Sequence, residues 1–71
     1  MKIRPMKEIR QWANDTGRYI RKHEDTALFV LVTNENISRP LSRPRFRRAA
    51  TIMIEIDIEN KVWKAKETEQ S

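Results

Sequence analysis

Residues 51–60 read TIMIEIDIEN, and residues 38–50, directly before them, read SRPLSRPRFRRAA. The first stretch decides the fold. Ile52, Ile54, Ile56 and Ile58 recur at every second position, with Met53, Glu55 and Asp57 between them. Strict alternation of this kind predicts a half-buried β-strand with the isoleucines on one face. Glu59–Asn60 then suits a two-residue turn, since asparagine tolerates positive φ. The resulting hairpin sets Ile56 opposite Trp63, Ile54 opposite Ala65 and Glu55 opposite Lys64, so apolar meets apolar and charge meets opposite charge.

Working back from that hairpin, the basic stretch is expected as a long connection from about Asn34 to Ala49. Pro40 and Pro44 oppose ladder pairing there. Further back, ALFVLV at 27–32 is apolar on both faces, as expected of a central or covered strand. TNEN at 33–36 is turn chemistry and should end it.

The N-terminal third reads as a helix. Pro5 suits a first helical turn. Met6, Ile9, Ala13, Thr16 and Ile20 follow in alternating steps of three and four, the mark of one buried face, flanked by Trp12 and Tyr19. NDTG at 14–17 is the weak point, because a glycine inside a helix costs about 1 kcal/mol. The rival reading ends the helix near Asn14 and starts a strand at Arg18. RYIRKH then pairs with TALFVLV across a turn at Glu24–Asp25. The continuous helix is preferred because the stripe persists to Ile20. The fold class expected is therefore α+β, with one N-terminal helix on a three-stranded antiparallel sheet and a long basic loop between the first two strands. Residues 1–66 form one small domain and 67–71 a frayed tail.

Composition narrows the field. The chain has 71 residues, 38% apolar and 35% charged, with no cysteine. That is near the lower limit for a single core, and neither disulfides nor a Cys-based zinc site can reinforce it. Self-association into a homodimer is the remaining common source of buried area. The longest apolar run falls far short of the roughly 20 residues that span a bilayer. No hydrophobic segment follows the basic N-terminus, so no signal peptide is read and a cytoplasmic location is expected.

Charge is concentrated. Net charge is +5, and residues 39–48 alone carry Arg39, Arg43, Arg45, Arg47 and Arg48 without an acid. Arginine's planar fork fits phosphate, and Phe46 among these residues is placed to stack on a base or wedge into a groove. The expected function is a non-catalytic nucleic-acid-binding or regulatory protein. Its candidate residues are Arg39, Arg43, Arg45, Phe46, Arg47 and Arg48, acting mainly on the DNA or RNA backbone. The alternative is a protein-interaction module whose basic loop binds an acidic protein surface. A solvated loop without a ligand is the bland reading. RPLSRP lacks the proline spacing of PxxP ligands, and no separate amphipathic anchor supports a membrane role.

Catalytic chemistry finds little to stand on. His23 is the single histidine, and its expected place near the helix end suits interaction with terminal carbonyls. Glu59–Lys61 resembles the E-x-K element of metal-dependent nucleases, but over three residues on an expected turn. Trp12, Tyr19 and Trp63 sit at core spacings. Gly17 is the only glycine, so glycine-rich phosphate loops are excluded. No cofactor or metal is expected.

Overall fold

A computed structural model describes residues 2–34 and 36–64. The order of elements is α1 (Met6–Asp15), β1 (Tyr19–Lys22), β2 (Phe29–Thr33), β3 (Asn36–Ile37) and α2 (Arg43–Glu59). The three strands form an antiparallel sheet in the order β1-β2-β3. The protein is α+β, with a helix on either side of the sheet in sequence.

Helix α1 stops where Gly17 permits it to. Gly17 has φ +76°, in the left-handed region. The Arg18 N–H donates to Ala13 O at 2.7 Å, and the Gly17 N–H to Asn14 O at 3.4 Å. That pair of bonds is the Schellman arrangement, which satisfies carbonyls left over at a helix end. The continuous helix to Ile20 is therefore corrected, and the rival reading describes the chain. A glycine costly inside a helix is favourable one residue beyond it. After it, Tyr19 pairs with Val32, Ile20 with Leu31, Arg21 with Val30 and Lys22 with Phe29. His23 consequently lies in the β1–β2 turn, where its N–H donates to Leu28 O at 2.8 Å, and not at a helix end.

Strand β2 ends at Thr33, as its turn residues require, and Val32 pairs with Ile37 across the β2–β3 hairpin. The chain then stays beside β2. Ser38 Oγ accepts the Leu31 N–H at 2.8 Å, and Phe29 and Leu41 exchange both backbone bonds.

Residues 52–64 do not form the expected hairpin, and Ala65, expected opposite Ile54, lies outside the described residues. Arg43–Glu59 is one helix of 17 residues, so Ile56 and Glu55 are helical and do not pair with Trp63 and Lys64 as strand partners. The long basic loop is corrected with it: only residues 38–42 connect β3 to α2, and Arg43 to Arg48 are the helix's first turns. The alternation was compatible with both structures. Alternate residues on a helix lie about 200° apart, so an i, i+2 repeat splits into two i, i+4 rows on opposite sides. Phe46, Ala50 and Ile54 are buried, with Ile58 packed against them. Ile52 and Ile56 lie on the other side, 45% and 53% exposed.

Both helices pack on the sheet face that carries Ile20, Phe29 and Leu31. The core joins Met6, Ile9, Trp12 and Ala13 of α1 to Phe46, Ala50 and Ile54 of α2, with Leu31 and Trp63. Two hydrogen bonds tie the helices at their far ends. Trp12 Nε1 donates to Asp57 Oδ2 at 2.8 Å, and Trp63 Nε1 donates to Asp15 Oδ2 at 2.9 Å. Residues 67–71, expected to fray, lie outside the described residues.

Candidate functional site

The basic residues are gathered at the N-terminal end of α2. Ser42 is the N-cap, Pro44 sits in the first turn where its missing N–H removes nothing, and no acid occupies that turn. Helix N-termini carry partial positive charge and normally attract acidic side chains. Here Arg43, Arg45, Arg47 and Arg48 surround that end, with Arg39 four residues before it. Arg39, Arg43, Arg45 and Arg48 are exposed. Each guanidinium adds to the field of the dipole instead of opposing it.

The N-terminal segment lies against the same turns. The Arg4 N–H donates to Thr51 Oγ1 at 3.0 Å, Thr51 Oγ1 donates to Arg47 O at 2.7 Å, and Arg47 Nε donates to Arg4 O at 3.0 Å. Ile3 then lines an open depression with Pro44, Arg45, Arg47 and Arg48. Lys2, one residue earlier and exposed, lines a separate depression with Ile3, Arg4, Glu8 and Glu55. Nothing local announces that the Arg4 backbone meets α2, because its contacts with Thr51 and Arg47 span more than forty residues.

Among the described residues, the ion pairs join Arg4 to Glu8 and to Glu55. Neither involves an arginine between 39 and 48. Arg4 is the structural cation of the set. Burial lowers its proton affinity, but the Glu55 hydrogen bond and the charges of Glu8 and Glu55 outweigh that, and its pKa ends raised. Glu55, expected on a strand face opposite Lys64, is held by this pair instead.

Phe46 does not serve as expected. It is 3% exposed and packs on Phe29 with ring centroids 5.7 Å apart. It points away from the arginines because it belongs to the inner row of α2, so base stacking by Phe46 is corrected to a core role. Arg47 is half-buried and committed through Nε to the backbone of Arg4. The four remaining candidates face outward on the connection and the first turns of α2.

Other chemistry is sparse. Glu55, Asp57 and Glu59 lie on α2, where Asp57 accepts the Trp12 N–H. Among the described residues, no group of three or more His, Cys, Asp or Glu converges as metal ligands, and no helix is long and apolar enough to cross a membrane. No family model, curated protein or solved structure matches this chain.

Proposed function

We propose that this is a non-catalytic protein that binds the phosphate backbone of a nucleic acid through the N-terminal end of α2. One observation carries the reading. Arg39, Arg43, Arg45 and Arg48 are exposed, lie within ten residues, and have no acidic partner among the described residues. They lie around a helix terminus that itself favours anions. Holding like charges together there costs free energy in the isolated protein, and an array of phosphates relieves that cost. The contacts expected are to backbone, not base edges, because the exposed cluster offers neither an aromatic platform nor an amide side chain.

The test is a fluorescence titration with a labelled random-sequence duplex and the matching single strand at two salt concentrations. Four neutralised phosphates give a log–log salt slope of about −3 to −4 on duplex. Replacing Arg39, Arg43 and Arg48 by Gln together removes most of both affinity and slope. Salt-insensitive binding, or full binding by the triple variant, contradicts the reading. No binding at low salt transfers the cluster to an acidic protein surface.

A further inference from the structure

The outer row of α2 has no role in the core. Ala49, Ile52, Met53 and Ile56 follow at steps of three, one and three on the side facing away from the sheet. Ile52, Met53 and Ile56 are 45%, 37% and 53% exposed. Their spacing is that of a continuous apolar stripe on a helix. A contiguous apolar stripe on a 71-residue protein with only 38% apolar residues is a large exposure for so small a core, and such patches mark contact surfaces. Residues 65–71, AKETEQS, offer no large apolar side chain to cover it.

The charges at the two ends of the stripe say what fits there. Arg45 stands seven residues before Ile52, and Glu59 stands seven residues after it. Two helical turns in either direction return nearly to the same face, so Arg45, Ile52 and Glu59 lie along one line. Both charged residues are exposed, and neither has an ion-pair partner among the described residues. A two-fold axis through Ile52, perpendicular to the helix, sets Arg45 of one copy against Glu59 of the other, and Glu59 against Arg45. The stripe between them meets itself in the reverse direction, Ile52 on Ile52 with Ile56 and Ala49 to either side. A parallel arrangement would instead oppose Arg45 to Arg45 and Glu59 to Glu59. The surface is thus complementary to its own antiparallel copy, the requirement of an isologous interface.

We infer that α2 pairs with α2 of a second copy, antiparallel, through Ala49, Ile52, Met53 and Ile56 with reciprocal Arg45–Glu59 ion pairs. The pairing is independent of nucleic acid. It engages Arg45 and leaves Arg39 and Arg43 outward at each end of the paired helices, while Arg48, four residues before Ile52 in the same i, i+4 row, lies at the edge of the paired face. A second apolar row exists on the sheet, where Tyr19, Val32 and Ile37 are cross-strand neighbours. Tyr19 and Ile37 are 57% and 61% exposed. On β1 the charge that shares its face is Arg21, which is basic, so it lacks the self-complementary pattern of α2.

The experiment is sedimentation velocity on the full chain without nucleic acid, from about 10 µM to about 1 mM, since dimerisation follows mass action. A concentration-dependent dimer is expected. Ile52→Lys, at an exposed position, weakens it at least tenfold, while Ile37→Lys on the sheet leaves it unchanged. Arg45→Glu and Glu59→Arg each weaken it alone. Mixed together, these two variants associate with each other, because every facing pair is again of opposite sign. A monomer across the whole range overturns the inference. So does a dimer insensitive to Ile52→Lys, or single charge variants that do not recover on mixing.

Discussion

Thr51 shows how much one side chain does in a chain this small. It is the one buried polar residue among those described, fully shielded from solvent. Its hydroxyl accepts the Arg4 N–H and donates to Arg47 O, so it couples the N-terminal segment to the first turns of α2. Valine has nearly the same shape but neither bond. Thr51→Val therefore leaves the Arg4 N–H without its acceptor and lowers stability by about 1–2 kcal/mol, read as a lower urea midpoint at unchanged slope. An unchanged midpoint would show that the segment is held by the Arg47 bond to Arg4 O and by Arg4 with Glu8 and Glu55. Gly17 teaches a second lesson at this scale. Its cost inside a helix is legible in the sequence, but its benefit at φ +76° depends on where the helix stops. The useful signal was the pairing of NDTG with an apolar strand pattern further on, not the glycine alone.

At the scale of the element, α2 carries a conflict. Its first turn holds Arg43 and Arg45 and no acid, and Ser42 makes no side-chain cap bond. Helix stability and anion attraction therefore pull in opposite directions at the same residues. Arg43→Glu places a carboxylate where the dipole favours it, and stability should rise by about 0.3–1 kcal/mol. The same change should weaken nucleic-acid binding and flatten its salt dependence. A thermal melt and a titration on one preparation check both. Lower stability with undiminished affinity would contradict the account of this helix end. The element also explains why TIMIEIDIEN misleads. Within ten residues, Ile54 and Ile58 inside with Ile52 and Ile56 outside look the same as four isoleucines on one strand face. Extending the window back through Ala50 and Phe46 shows a four-residue step from 46 to 58, and Pro44 then marks a helix start. Ending the window at the arginines hid that row.

The whole molecule is closed by residues far apart in sequence. Trp12 of α1 reaches Asp57 of α2, and Trp63, beyond the end of α2, reaches back to Asp15. Trp63 is 8% exposed and part of the core. Trp63→Ala removes a large buried ring and its bond together, a loss of about 3–5 kcal/mol. Small domains hold only about 5–15 kcal/mol in all, so this variant should be largely unfolded at moderate temperature by near-ultraviolet circular dichroism. Trp63→Phe keeps most of the packing and should remain folded. A Trp63→Ala protein that melts like the parent would mean that α2 is held by Phe46, Ala50 and Ile54 without this clasp.

The sequence by itself determined the α+β class, the start of α1 at Pro5, the apolar strand ended by TNEN, and a block of arginines without neighbouring acids. These follow from local quantities: φ restrictions, side-chain periodicity and charge density. Only the tertiary structure decided that Ile52–Ile58 is helical, that Phe46 turns inward onto Phe29, and that the backbone of Arg4 lies against the first turns of α2. The reason is that an alternating isoleucine run buries apolar area in either secondary structure. What selects the helix is the set of partners it meets: Met6, Ile9 and Trp12 on one helix, Phe29 and Leu31 on the sheet, and the Arg4 N–H that Thr51 accepts. Those partners come from distant parts of the chain, and no window of local sequence contains them.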